Sequence, residues 1–330
     1  MNLREIIPMV DADRHAFPER KERGAYFLVG PTASGKTAVS HFLAMQQGAV
    51  ILSADSMLVY KGMDIGTAKP TEKERAEISY FGLDLVAPGD SFSVGAYLEH
   101  AAEAFETAGR CGSNVFVTGG TGLYIKCLTE GLDETGAADP DSRLRAESIL
   151  ENDGVSGLQQ ALKAAAPDRL AALKDPDNPR RLIRALELAW KGQPLNRKWS
   201  AKPVVPFVGL AVEPETLLQR IRDRVQTMYE EGLLEEAESL RKGERPLSET
   251  ARHAIGYAEA FDLLNGKKTR SEAMEMTIRR TRRLAKRQMT WFRGQANVKW
   301  IDVGAGDSTE SIAAKVAACW KQYGRTLVNF

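Results

Sequence analysis

Cysteine is scarce in this chain. Cys111, Cys127 and Cys319 are the only three in 330 residues, and no two form a C-x-x-C pair. That excludes a disulfide framework, and the four scattered histidines, His15, His41, His100 and His253, supply no zinc-ligand cluster. Reduced, semi-buried thiols are expected, as in a cytosolic protein. Long apolar runs are missing too: none approaches the roughly 20 residues that span a bilayer. Residues 1–24 carry Glu5, Asp11, Asp13, Glu19 and Glu22 among their bases, unlike an export signal or an organellar presequence. They read as an N-terminal extension. No charge sign dominates, since 45 Lys and Arg face 44 Asp and Glu, for a net charge of +1. There is no internal repeat and no low-complexity tract.

The near-neutral total hides one asymmetry. Arg279, Arg280, Arg282, Arg283, Lys286, Arg287 and Arg293 follow one another with no acid between them. Ile278, Leu284 or Ala285, Met289 and Phe292 share one face of a helix drawn through this run. The bases then form either a solvated face or a stripe for a polyanionic partner.

Apolar patterning predicts an α/β protein. Tyr26, Phe27, Leu28 and Val29 form a short run ending in glycine, as a buried parallel strand does. Residues 37–46 read as a helix with Val39, Phe42, Leu43 and Met45 inward, and residues 50–53 as a second strand. Residues 93–108 read as a helix capped by Ser93 and stopped by Gly109. Residues 114–118 are a third strand. Alternation of this kind indicates a parallel sheet with helices on both faces. Between about 129 and 202, leucines at helical spacing are punctuated by Pro140, Pro167, Pro176, Pro179 and Pro194, with no strand. This is an inserted all-helical lobe in a core made of residues 25–128 and 203–330. Residues 204–212 return to the sheet, several helices follow to about Gly294, residues 298–303 make a last strand and 311–323 a last helix.

Gly30, Pro31, Thr32, Ala33, Ser34, Gly35, Lys36 and Thr37 match the Walker A pattern between a predicted strand and a predicted helix. Its glycines let backbone N–H groups close around phosphate oxygens, the helix start adds its dipole, Lys36 supplies a charge and Thr37 can ligand a phosphate-bound Mg²⁺. The pattern specifies a phosphorylated ligand, not ATP. A nucleotidase of this architecture carries an acid at the end of another core strand. The strand at 115–117 ends instead in Thr118, Gly119, Gly120 and Thr121. Asp55, after the second strand, is then the acid beside the loop. It can be a magnesium acid, a turn or cap residue, or a base. A leaving-group cradle with one carboxylate suits transfer from an allylic diphosphate to an amine that must lose a proton.

Five stretches together resemble the tRNA dimethylallyltransferase (tRNA isopentenyltransferase) family: residues 30–37, 55–70 (DSMLVYKGMDIGTAKP), 119–124 (GGTGLY), 180–187 (RRLIRALE) and 286–293 (KRQMTWFR). The resemblance spans about residues 25–300. It implies a P-loop NTPase-like core and transfer of the dimethylallyl group of dimethylallyl diphosphate to N6 of the adenosine 3′ to the anticodon, position 37, in tRNAs reading codons that start with U. Diphosphate leaves, Mg²⁺ assists, and the enzyme is a cytoplasmic monomer. In this reading the phosphate loop holds the prenyl diphosphate, Asp55 is the base toward N6, and Thr121 and Arg224 lie at the reacting diphosphate. The target base is flipped into the protein. The anticodon stem-loop is expected to meet Asp55, Ser56, Met57, Leu58 and Thr121. On the lobe it meets Arg143, Arg180, Arg181, Leu182, Ile183 and Arg184. Further contacts fall on Arg252, His253, Ala254, Ile255, Gly256 and Tyr257, and on Lys286, Arg287, Gln288, Met289, Thr290, Trp291, Phe292 and Arg293. The lobe at 129–202 corresponds to the part that grips the anticodon stem. Trp291 is equally a core residue on its own pattern, and Arg143 and the arginines at 180–184 are equally plain surface charges. Many members carry glutamine where this chain has Leu58. Competing readings are a small-molecule kinase, motivated by residues 30–37, and a non-catalytic RNA-binding module, motivated by residues 279–293.

Overall fold

The computed structural model describes residues 23–132, 139–193 and 204–329. Most of the N-terminal extension and the boundary near 202 lie outside them. The elements run β1 (Gly24–Val29), α1 (Lys36–Gln47), β2 (Val50–Ala54), α2 (Glu72–Glu77), β3 (Tyr80–Phe81), α3 (Val94–Cys111), β4 (Val115–Gly119) and α4 (Gly122–Glu130). They continue with α5 (Pro140–Ala165), α6 (Pro167–Ala172), α7 (Pro179–Trp190), β5 (Phe207–Val212), α8 (Pro214–Glu230), α9 (Leu233–Arg241), α10 (Glu249–Arg252) and α11 (Tyr257–Leu264). The chain closes with α12 (Arg270–Gln295), β6 (Val298–Val303), α13 (Thr309–Tyr323) and β7 (Thr326–Leu327).

The sheet has the order β3-β2-β4-β1-β5-β6, all parallel, with β7 antiparallel against β1. Alternate residues of each strand feed two cores. Phe27, Val29, Leu52, Val115 and Val117 face α3, α4 and Phe292 of α12, while Leu28, Ile51, Phe116 and Val208 face α1 and α13. That period-2 partition covers both faces, as a parallel sheet requires. A third cluster joins Val59, Tyr60 and Met63 to α8, α9, α11 and α12. The P-loop-like α/β core predicted from the sequence is therefore present. Among the described residues no helix is long and apolar enough to cross a membrane.

Several local expectations need correction. Gly109 does not stop α3; the helix continues to Cys111 and ends at Gly112, whose left-handed φ of 66° closes it. Ser93 does cap it, accepting the Ala96 N–H at 3.1 Å. Met45 is exposed, and Ala44 and Ser40 take the inward side of α1 instead. Cys111 is exposed and Cys127 buried. The short strands β3 and β7 leave no sequence signal, because two-residue pairings carry no periodicity.

α5, α6 and α7 pack around a cluster of their own, with Ala146, Leu158, Leu162, Leu182 and Leu186 fully buried. No strand occurs among the described residues of this stretch. α4 runs on to Glu130, so the helical lobe begins after it. The lobe touches the core where Arg180 Nη2 donates to Thr250 Oγ1 at 3.3 Å.

Candidate active site

The parallel strands deliver their C-terminal ends to one level, because Gly119 of β4 is in register with both Val29 of β1 and Ala54 of β2. The next residues along are Gly30, Asp55 and Gly120. Ligand sites of open α/β sheets form at this edge. A cavity of about 370 Å³ opens there. Thr32, Ala33, Ser34, Gly35, Lys36 and Thr37 of the phosphate loop line it, with Asp55, Thr118, Gly119 and Gly120 from the strand ends and Arg220, Arg224 and Gln288 from α8 and α12. Leu58, Ala68, Pro70, Tyr80 and Leu83 add apolar surface to its lining.

The phosphate loop takes a tightly specified backbone shape. Gly30 and Gly35 take φ of 141° and 90°, and Ala33 is left-handed at 62°, a conformation costly for a residue with a Cβ. Lys36 is buried and donates to the Pro31 carbonyl at 2.6 Å. Burial pulls its pKa down to about 8, with Asp55 opposing and Arg224 adding to the effect. Above pH 8 the free protein thus loses the Lys36 charge, and an arriving diphosphate draws the proton back. Diphosphate binding at pH 8–9 is expected to take up protons, which calorimetry in two buffers of different ionisation enthalpy measures; a buffer-independent enthalpy would contradict it.

Asp55 does two things. Its Oδ1 accepts the Met57 N–H at 2.9 Å, closing a turn, and the residue lines the cavity, near enough for its charge to act on Lys36 and Arg224. The turn reading is thus correct for one oxygen without removing the acid from the site. Thr121 lies beside it: its Oγ1 accepts the Ser56 N–H at 3.0 Å, and its own N–H donates to the Ala54 carbonyl at 3.0 Å. Arg224, on α8, donates to the Thr67 carbonyl at 3.1 Å and approaches Thr32 Oγ1 at 3.5 Å. Burial lowers its pKa, opposed by Asp55.

β4 ends without a carboxylate, as expected, and the glycines on either side of Thr121 are closely packed. A Cβ on Gly120 would lie 2.1 Å from Gln288 Nε2, and one on Gly122 would lie 2.3 Å from the Trp291 ring. α12 therefore packs directly on the β4–α4 turn. Gln288 is expected at the tRNA, and the structure places its Oε1 on the Thr32 N–H at 2.8 Å, inside the phosphate loop. Trp291 packs against the core edge-on to Phe292.

The remaining expected RNA contacts divide by burial. Leu182, Ile183, Ala254, Tyr257 and Phe292 are buried and hold packing roles, so direct contact there passes to exposed neighbours. Arg143, Arg180, Arg181, Arg252, His253, Lys286, Arg287, Thr290 and Arg293 are exposed, while Arg184, Ile255, Met289, Ser56, Met57 and Leu58 are half-buried. Gly256 is buried, with φ of 94°. Arg143 and Arg184 pair with Glu187 at 3.5 and 2.9 Å. Within the basic run Arg280 turns inward, pairing with Glu259 and donating to the His253 carbonyl at 2.7 Å. The outward stripe is thus Arg279, Arg282, Arg283, Lys286, Arg287 and Arg293. Arg220, Thr67, Ala68, Tyr80 and Leu83 line the cavity beyond the site residues the sequence points to. Arg220 does carry a signal, four residues before Arg224 on one helix face; Tyr80 and Leu83 carry no local signal.

The family model described as IPP transferase matches residues 58–295, and one described as isopentenyl transferase matches residues 23–81. The chain belongs to the IPP transferase family. Among relatives within it, a tRNA dimethylallyltransferase of Geobacter metallireducens is 38% identical over 86% of this chain and 94% of its own length. One of Pelotomaculum thermopropionicum is 39% identical over 91% of this chain and 98% of its own. The crystal structure of a full-length tRNA isopentenylpyrophosphate transferase from Bacillus halodurans is similar at a TM-score of 0.65 and 37% identity, covering 92% of this chain and 98% of that one. A eukaryotic dimethylallyltransferase acting on tRNA is similar at 0.69 and 25% identity, over 91% and 76% of the two chains.

Proposed function

We propose that this IPP transferase moves the dimethylallyl group from dimethylallyl diphosphate to N6 of adenosine 37, 3′ to the anticodon, in tRNAs reading codons that start with U. The observation that carries the reading is that Asp55 and the phosphate loop line one cavity together with the apolar side chains of Leu58, Ala68, Pro70 and Leu83. Lys36, Arg224 and the loop amides would bind the diphosphate, and Leu58, Ala68, Pro70 and Leu83 would border the prenyl chain. The N6 lone pair attacks C1 of the donor, the C1–O bond breaks, and the electron pair leaves with the diphosphate. The N6 proton passes to the Asp55 carboxylate. Cation charge and oriented amides stabilise the leaving group.

Mg²⁺ fits this donor set. Among the described residues no group of three or more His, Cys, Asp or Glu could cage a metal, and Mg²⁺ at phosphates needs few protein ligands. The Thr37 hydroxyl, exposed at the cavity, would hold it through the diphosphate. When bound, the ion neutralises charge on the leaving group.

The tRNA side of the reading assigns the anticodon stem-loop to three surfaces. These are the α12 stripe with Lys286, Arg287 and Arg293, the exposed arginines of the lobe, Arg143, Arg180 and Arg181, and the turn at Arg252 and His253. The protein would act as a cytoplasmic monomer. Dimethylallyl diphosphate with Mg²⁺ is expected to raise Tm, since a ligand of the folded state alone shifts unfolding; protection by ATP and none by the prenyl donor would overturn the assignment. Arg283→Glu combined with Arg287→Glu is expected to weaken tRNA binding and flatten its dependence on salt by about two phosphate contacts. An unchanged slope would return α12 to the role of a solvated face.

A further inference from the structure

The rim of the cavity is a loop, residues 64–70, that two charged side chains hold, one from α9 and one from the loop itself. Glu236, on α9, receives successive backbone amides. Its Oε2 accepts the N–H of Asp64 at 3.0 Å and of Ile65 at 2.9 Å, while Oε1 accepts the N–H of Gly66 at 3.2 Å and the Tyr257 hydroxyl at 2.5 Å. Amides converging in this way form a nest for an anion, here filled by a side chain. Within the loop the wholly buried Lys69 ammonium donates to the Tyr60 carbonyl at 2.7 Å, to Asp64 Oδ1 at 2.5 Å and to Asp84 Oδ1 at 2.6 Å. The Tyr257 ring lies against Gly66 so closely that a Cβ there would sit 2.5 Å from it. Burial and the Glu236 carboxylate push the Tyr257 phenol far up, so it remains a donor at any working pH.

A loop fixed this firmly, with Ala68 held at a left-handed φ of 49°, has something to present. Thr67, Ala68 and Pro70 face the cavity, and the Thr67 carbonyl is the close partner of Arg224, at 3.1 Å. The other contact, Thr32 Oγ1 at 3.5 Å, is at the limit of a hydrogen bond and orients little. The direction of the Arg224 guanidinium therefore depends on where the loop puts one carbonyl.

We propose that Glu236 is a positioning residue for the transfer reaction: by gathering the amides of residues 64–66, with Tyr257 bracing it, it sets the Thr67 carbonyl that aims Arg224 at the departing diphosphate. This rests on the diphosphate reading of the cavity. It also gives Tyr257, expected at the tRNA, a different task.

The test is a double-mutant cycle on the full-length protein, with inorganic pyrophosphate as the probe and calorimetry as the readout. Glu236→Gln keeps the side-chain size but sets an NH₂ group against amide donors. It is expected to weaken pyrophosphate binding about tenfold, the scale of a lost charge-assisted hydrogen bond. KM for dimethylallyl diphosphate should rise in parallel, with tRNA affinity unchanged. In an Arg224→Ala background, where Lys36 and the loop amides still bind the anion, Glu236→Gln should have no further effect. Equal losses in both backgrounds, or unaltered pyrophosphate affinity in the single variant, would overturn the proposal. Tyr257→Phe serves if Glu236→Gln fails to fold: it keeps the carboxylate and the amides, and should give a smaller loss that also disappears without Arg224. A protein that bound pyrophosphate through this cycle yet alkylated no tRNA would sink the prenyl-transfer reading and leave the Glu236 role standing.

Discussion

Asp55→Ala is expected to slow alkylation by on the order of 10²–10⁴-fold, the usual contribution of a positioned general base, with tRNA still bound. The structure shows why alanine alone is not enough. Asp55 Oδ1 also accepts the Met57 N–H at 2.9 Å, so alanine removes a turn bond together with the base. Asn keeps an acceptor oxygen for Met57 and cannot take a proton at neutral pH. If Asp55 is the base, Asp55→Asn is nearly as slow as Asp55→Ala in a single turnover. Near-normal turnover by Asp55→Asn would leave the residue as a turn acid only.

Lys36→Met is expected to have the second large effect, a loss of about 10²–10³ in turnover, the scale found on removing one group that stabilises developing negative charge. Its fold should not suffer. Lys36 is buried, its pKa is drawn down to about 8 by burial, and an apolar side chain of similar length relieves that desolvation cost. Unchanged or raised thermal stability with collapsed single-turnover rate is the expected pair of results. Wild-type rate would mean that the ammonium does not face the leaving group. Loss of folding would mean that its 2.6 Å bond to the Pro31 carbonyl holds the loop together.

Much of this site is readable in one dimension because its parts are local. The phosphate loop is eight consecutive residues whose glycines and lysine must be adjacent, and Asp55 stands directly after the apolar run that becomes β2. The missing acid after β4 is equally visible. Contacts that depend on packing are not. Gln288 and Thr32 are 256 residues apart in sequence, and nothing in the KRQMTWFR stretch distinguishes a glutamine turned into the phosphate loop from one turned toward RNA. Tyr257 is an aromatic residue in a mixed stretch, and only its 0% exposure and its bond to Glu236 show that it supports a loop. Arg280 sits among bases that point outward; Glu259, which turns it inward, lies 21 residues earlier. Helix ends missed for a simpler reason: at Gly109 glycine is tolerated within α3, and the left-handed turn that ends it comes three residues later.

Leu58 stands where the family resemblance implies glutamine, yet it stays at the site: it lines the same cavity as Asp55. A leucine there adds apolar surface and offers no hydrogen bond to a base, so whatever polar reading the site performs comes from other walls.

The central claim, that a prenyl diphosphate in the phosphate loop meets an adenine amine at Asp55, is tested most directly by the product. Purified protein, dimethylallyl diphosphate, Mg²⁺ and an anticodon stem-loop with adenosine at position 37 are incubated, and the RNA is digested to nucleosides for mass spectrometry. The account predicts N6-(dimethylallyl)adenosine, with diphosphate released in equal amount. ATP hydrolysis with unmodified RNA would contradict it.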